Sequence, residues 1–376
     1  MNHKIARFLS ENSPETPCLV VDLDVVAEAY ELLCRYLSIA GVYYAVKANP
    51  APEIVAMLAG KGSSFDVASP AEIALCLGNG ATPERLSFGN TIKKEKDIAC
   101  AYRQGVRLFA FDSEPELEKL ARQAAGARVF CRILVSCQGA DWPLSRKFGC
   151  TPEMAVRLLR KARELGLDPY GVSFHVGSQQ TDLRQWDSAI GTAARMFTLL
   201  AETDISLRMV NIGGGFPAHY CGDVASIEDY ARAVGAALTQ HFGNDLPEII
   251  VEPGRSLVGD AGLIQSEVVL IADKGDGGGK RWVYLDIGKF NGLAETMGES
   301  IKYRIEVPGR SGISGPVILA GPTCDSADIL YERTEYTLPL GLEVGDKVEI
   351  LAAGAYTASY ASVGFNGFPP LRTYCI

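Results

Sequence analysis

Between residues 41 and 255, short runs of β-branched and aromatic residues alternate with longer stretches whose apolar positions recur every three to four residues. The short runs fit strands buried on both faces, and the longer period fits one apolar stripe of a helix. The strand candidates are VYYAV (42–46), SFDVA (64–68), RLSF (85–88), VRLFAF (106–111), VFCRILV (129–135), GVSFHV (171–176), LRMVNI (207–212) and EIIV (248–251). Helix starts announce themselves between them. Ser69-Pro70-Ala71-Glu72 reads as a capping box with proline at the first helical position, and Ser113-Glu-Pro-Glu116 repeats the box. Thr151-Pro152-Glu153 opens a helix with Ala155, Val156, Leu159 and Ala162 on its apolar stripe and Gly166 to stop it. Eight β/α units predict an α/β chain built on a (β/α)8 barrel over residues 23–258, although open doubly wound sheets share the pattern.

After about residue 258 the texture changes. LIQSEVVLIAD, KRWVYLDI, PVILAGP and DKVEILAA are strand-like, separated by glycine-rich turns such as GDGGG at 275–279. Few helical patterns intervene, so residues 259–376 are expected to form a mostly β second domain, sandwich- or barrel-like. Residues 1–22 should join it, with PCLVVDL at 17–23 adding a strand.

Composition narrows the function classes. No stretch of the 376 residues approaches the roughly eighteen consecutive apolar residues of a membrane helix. The segment MNHKIARFLSENSPETP lacks the apolar core and cleavage site of a signal peptide, so the expectation is a cytoplasmic protein. The ten cysteines are scattered without a CxxC pair, which argues against zinc and against a disulfide framework. A net charge of −9 argues against nucleic acid as a partner.

In such a barrel the active site lies at the carboxyl ends of the strands. Reading those ends gives Lys47, Asp66, Arg132, His175, the run Gly213-Gly214-Gly215, and Glu252 to Arg255. Charged groups are seldom buried without partners, so several on successive strand ends describe a site. Lys47 follows an apolar strand, where a lysine can lose its proton and attack a carbonyl, though one such lysine alone could as well be a surface residue. The glycine run lets backbone N–H groups approach a phosphate, or merely makes a tight turn. Glu252 could hold a pyridine nitrogen protonated or form an ordinary ion pair with Arg255. His175 could pack on a planar cofactor or be a satisfied core histidine. In GPTCDSAD (321–328), Cys324 could donate a proton beside a cation-binding Asp325, or be one more small apolar residue.

Taken together, YYAVKANP, FDVASPAEI, SFHVGSQ, NIGGGFP, VEPGRS, GPTCDSAD and GAYTASYAS-FNGF resemble the fold-type III pyridoxal phosphate (PLP) decarboxylases, nearest to the bacterial ornithine/lysine branch. The motifs run in the family's order from about Pro17 to Phe368. The resemblance implies PLP as cofactor and Lys47 as its Schiff-base lysine, with His175 stacking on the ring and Glu252 meeting the ring nitrogen. It places Ser178, Gly213, Gly214, Gly215, Gly254, Arg255 and Tyr356 around the phosphate, and Asp66 and Arg132 along the pocket. Tyr356 also borders the substrate. Cys324 corresponds to the thiol that protonates the substrate's α-carbon and Asp325 to the carboxylate that binds its distal amine. The loop bearing them reaches, in the family, into the partner subunit's site, which implies a homodimer with shared active sites.

The substrate question turns on Asp325. Diaminopimelate decarboxylases resemble this loop but carry glutamate after the cysteine. The segment YLDIGKFNGLAETMGESIKY (284–303) is similar to bacterial enzymes that accept ornithine, lysine or both, and it offers Glu295 and Glu299 as further contacts for the distal amine. The expected reaction is ornithine to putrescine, with lysine to cadaverine as a second activity. A diaminopimelate decarboxylase, an amino-acid racemase on the same barrel, and a non-catalytic decarboxylase-like regulator are the alternatives.

Overall fold

The computed structural model describes residues 3–142, 147–275, 279–364, 366 and 368–376. Residues 276–278 of the GDGGG turn, and Phe365 and Gly367 of the FNGF motif, lie outside the described residues.

Residues 27–217 and 224–254 form one compact unit. Eight of its strands, Ala40–Ala45, Ser64–Val67, Leu86–Phe88, Leu108–Phe111, Arg128–Arg132, Asp168–Ser173, Met209–Asn211 and Glu248–Val251, pair in chain order into a closed parallel barrel. The last strand closes on the first, with Ile249 opposite Ala40 and Val251 opposite Val42. Closure decides for the barrel over the open sheet. Leu108, Ala110, Phe130, Met209 and Ile250 meet in one buried cluster with Tyr43 and Tyr170 against it. Their neighbours Phe109 and Phe111 are buried as completely, so these strands have both faces covered and read as continuous apolar runs.

Ser69 Oγ accepts the Glu72 N–H at 3.3 Å, but the Glu72 carboxylate takes the N–H of Ala68 at 2.6 Å, so the box at this site is displaced by one residue. Thr151 Oγ1 caps the helix Pro152–Glu164 through the Met154 N–H, and Gly166 turns away from its end with φ +76°. The box expected at Ser113 does not form. The Ser113 side chain makes no cap bond among the described residues, and Glu116 is instead buried in ion pairs with Lys93 at 3.0 Å and Lys119 at 2.6 Å. The full reciprocal box stands instead at Ser226 and Asp229, ahead of the helix Ile227–Phe242.

Residues 1–26, 218–223 and 255–376 form the second unit. The excursion 218–223 belongs here rather than with the barrel sequence around it. The Cys221 N–H donates to Lys302 O at 3.1 Å, and Arg304 Nε donates to His219 O at 3.0 Å. The core is an eight-stranded sheet containing Ile305–Glu306, Lys347–Leu351, Gly262–Ala272, Arg281–Leu285, Ser314–Ala320 and Ile329–Pro339 in that order. Cys18–Val21 adds the expected amino-terminal strand, antiparallel to Gly262–Ala272 and parallel to Arg372–Cys375. A helix at His3–Asn12, not foreseen from the sequence, packs Ile5 and Leu9 on Cys18, Val20 and Leu263. Among the described residues, no helix is long and apolar enough to cross a membrane.

Candidate active site

The barrel's first strand ends in a single 3-10 turn, Val46–Ala48, that sets Lys47 at the mouth. Lys47 Nζ meets Asp66 Oδ2, at the end of the second strand, at 2.6 Å; the lysine side chain keeps 46% of its exposure and the aspartate only 5%. Asp66 Oδ1 is buried with no hydrogen-bond partner among the described residues, the kind of atom that marks a site completed by something else. Beyond the third strand, Gly89 makes room for it: a Cβ there would lie 2.0 Å from Asp66 Oδ1.

His175 lies two residues past the sixth strand. Its Nδ1 accepts the Gly177 N–H at 3.0 Å, which leaves the ring proton on Nε2. Burial, with the positive charges of Arg132 and Lys47, holds its pKa well below 6.5, so the imidazole is flat and neutral. Across from it runs the triple glycine. A Cβ on Gly213 would lie 2.3 Å from Phe174 O, on Gly214 2.6 Å from Glu252 O, and on Gly215 2.7 Å from Gly177 O. Gly213 and Gly215 also need φ of +69° and +101°. Ser178 opens the short strand Ser178–Gln180, and Gln180 N–H ties that strand to Gly215 O at 2.9 Å. Arg132, ending the fifth strand, lays its guanidinium over the Phe148 ring at 5.4 Å.

Glu252 follows the eighth strand. Burial first, and then the negative charge of Asp66, raise its pKa to about 7, against the pull of Lys47. Its Oε1 accepts from Asn211 Nδ2 at 2.5 Å. The strand-end reading missed Asn211, because an uncharged residue inside an apolar strand looks like tolerated polarity.

In the second unit, Arg255 is buried. It donates to both oxygens of Glu295 at 2.6 and 2.8 Å and to Tyr220 Oη at 2.7 Å, and it lies over the Tyr356 ring at 4.9 Å. Tyr356 holds φ +55°, a left-handed conformation uncommon for an aromatic residue. Glu295, one candidate contact for a substrate amine, is here the bidentate partner of Arg255, and buried charges need such partners. Glu299, the other candidate, is likewise engaged within the second unit. Burial raises its pKa, but the N–H groups of Arg333, Glu332 and Thr334 outweigh that and pull it down to about 2. Those N–H groups and the Thr334 hydroxyl donate to it at 2.7–3.0 Å, so it binds the backbone of the strand Ile329–Pro339.

Cys324 and Asp325 are exposed. The Cys324 N–H and Sγ face Asn366 Oδ1 at 3.3 and 3.6 Å, and Asp325 Oδ1 accepts the Ala327 N–H at 2.8 Å. Their loop is anchored by Asp328, which the sequence reading passed over. Buried, it accepts from the Thr323 hydroxyl at 2.7 Å, Thr323 N–H at 3.1 Å and Lys289 N–H at 2.7 Å. Gly288 and Gly321 crowd it so closely that a Cβ on either would lie within 2.4 Å of a carboxylate oxygen.

The barrel mouth fits PLP group by group. An accessible amine suits the aldehyde, a neutral imidazole the flat ring, a high-pKa carboxylate the ring nitrogen, and a glycine-lined backbone the phosphate. A (β/α)8 barrel with that set at its strand ends is a PLP enzyme. The family model for the pyridoxal-dependent decarboxylases, pyridoxal binding domain, matches residues 23–259, and the chain belongs to that family. It is 35% identical to the lysine/ornithine decarboxylase of Selenomonas ruminantium, over 98% of this chain and 91% of that protein. The crystal structure of the lysine/ornithine decarboxylase from Vibrio vulnificus, complexed with cadaverine, superposes with a TM-score of 0.88 at 31% identity, covering 100% of this chain and 98% of that one. The arginine decarboxylase of Paramecium bursaria Chlorella virus gives a TM-score of 0.91 at 26% identity, covering 100% of both chains.

Proposed function

We propose that this enzyme decarboxylates L-ornithine to putrescine and, less efficiently, L-lysine to cadaverine. The observation that carries the reading is the barrel mouth, where Lys47, Asp66, His175, Glu252 and the glycine run converge in a chain whose relatives are named for these substrates. When bound, PLP supplies an electron sink conjugated to the substrate's α-carbon. The chain's own residues do the rest. Lys47 is the covalent anchor and Asp66 holds its amine in place. Neutral His175 supports the ring face, and Gly213, Gly214, Gly215 and Ser178 accept the phosphate. Glu252 keeps the ring nitrogen protonated. Arg132, Gly254, Arg255 and Tyr356 keep the roles that the resemblance assigns them.

Cys324 supplies the proton to the α-carbon and Asp325 binds the distal ammonium. Both act on the site of a second copy of the chain, so the working unit is a homodimer; its cytoplasmic location is part of the same reading. With Glu295 and Glu299 engaged elsewhere, Asp325 stands as the distal-amine ligand. Its exposure suits a residue that meets its substrate in another subunit. One methylene in a pocket is worth about 1–3 kcal/mol, so the two substrates overlap. A CO2-release panel with ornithine, lysine, arginine and diaminopimelate tests the proposal. Ornithine should lead in kcat/KM, with lysine within about a hundredfold. A lead for diaminopimelate or arginine, or racemisation without CO2, would overturn it.

A further inference from the structure

Three hydrogen bonds close a ring behind Glu252. Its backbone N–H donates to Gly213 O at 2.8 Å, the Gly213 N–H donates to Asn211 Oδ1 at 2.9 Å, and Asn211 Nδ2 donates to Glu252 Oε1 at 2.5 Å. Asn211 is fully buried in the seventh barrel strand, so its amide is shielded from water. The ring also settles which way the amide faces. A backbone N–H can only donate, so the atom facing Gly213 is the amide oxygen and the one facing Glu252 is the NH2 group. Glu252 Oε1 is therefore held as an acceptor, the part a carbonyl-type oxygen fills better than an acid hydroxyl.

We propose that Asn211 is a positioning residue for Glu252, fixing Oε1 as an acceptor and reserving Oε2 for the proton and for the ring nitrogen of PLP. The PLP half of this rests on the function proposed above; the Asn211–Glu252 half does not. The same ring couples the two ends of the cofactor site. Gly213 begins the phosphate cradle and Glu252 serves the ring nitrogen, and Asn211 bonds to both. Of the side chains close to this size, only an amide can accept from one neighbour and donate to the other whatever the pH. An aspartate would keep the bond to Gly213 but face Glu252 with a second carboxylate, and the pair would hold a shared proton.

The test is the titration of Glu252 in the cofactor-free protein, read from the carboxylic-acid C=O infrared band of 13C-labelled glutamate between pH 5 and 9. Glu252→Gln supplies the baseline. Asn211→Asp should move the midpoint up by at least about one pH unit, a tenfold change in the acid constant, and Asn211→Ala by less. In equilibrium dialysis, Asn211→Ala should bind PLP about tenfold more weakly, the scale of a lost hydrogen bond to a charged group. Should Asn211→Ala fail to fold, Asn211→Asp keeps the shape and the acceptor for Gly213, and decides alone. A midpoint that stays at its wild-type value in the folded variants overturns the proposal, because a merely structural asparagine would leave it there. If the wild type binds no PLP, the cofactor reading falls, while the titration still decides whether Asn211 governs Glu252.

Discussion

Lys47 donates to one oxygen of Asp66 at 2.6 Å, while the other oxygen is buried, with no hydrogen-bond partner among the described residues, in a space that only a glycine at position 89 leaves open. Gly89→Ala should push Asp66 aside and loosen Lys47. Overpacking of this kind costs about 1–3 kcal/mol, so the variant should fold with a lowered Tm. The bound PLP absorbance and the borohydride-trapped label on Lys47 should fall well below wild type. Normal cofactor content in Gly89→Ala would show that Asp66 does not govern the lysine.

Glu252 and His175 give the cofactor-free protein opposing pH dependences. Glu252 has its pKa raised to about 7 in the folded state, so the folded protein binds the extra proton. Stability is unaffected below the ordinary glutamate value and declines as the pH rises through about 7. The pKa of His175 is lowered by burial, so its penalty appears only as the pH falls below about 6.5, where the unfolded chain takes up the proton. Glu252→Gln should therefore gain about 1–3 kcal/mol at pH 8 and nothing at pH 4.5, measured by urea unfolding without cofactor. A gain that is equal at both pH values would assign the effect to packing.

Removing the Asp328 carboxylate should separate loop order from cofactor binding. Asp328→Ala strands three donors, on Thr323 and Lys289, each worth about 1–3 kcal/mol when left unpaired in the interior. Hydrogen exchange should quicken across 321–328, and kcat should fall because Cys324 and Asp325 ride on that loop. PLP content should hold. A variant with wild-type exchange and kcat would leave Asp328 without the anchoring role.

Subunit mixing tests the shared site. Lys47→Ala and Cys324→Ala should each be inactive. An equal mixture after subunit exchange contains about half heterodimers with one intact site of two, restoring about a quarter of wild-type activity. No recovery after verified exchange would mean that the thiol acts within its own chain.

The barrel was legible because its strands are buried on both faces, so a charge at a strand end interrupts a long apolar run. Lys47, Asp66, Arg132, His175 and Glu252 all stand out in this way. Gly89, Asn211 and Asp328 do not. Each is needed because of a residue distant in sequence, Asp66 for Gly89 and Lys289 for Asp328, and local composition carries no trace of that need. The failed cap at Ser113 has the same origin: Lys93, buried by the tertiary fold, takes the glutamate that a local motif would have used. Glu295 and Glu299 looked equivalent in one short segment, and only their partners, Arg255 and the 332–334 backbone, tell them apart.

The seam where Glu248–Val251 pairs with Ala40–Ala45 joins segments some two hundred residues apart, so it forms against a large loop-closure entropy. Lys47 lies just past one side of that seam and Glu252 just past the other. A chain still emerging from the ribosome, or a truncated one ending before the eighth strand, carries the lysine but has no carboxylate for the ring nitrogen. On the proposed roles, the vitamin's full set of contacts exists only once that seam has closed, so its binding favours the closed barrel.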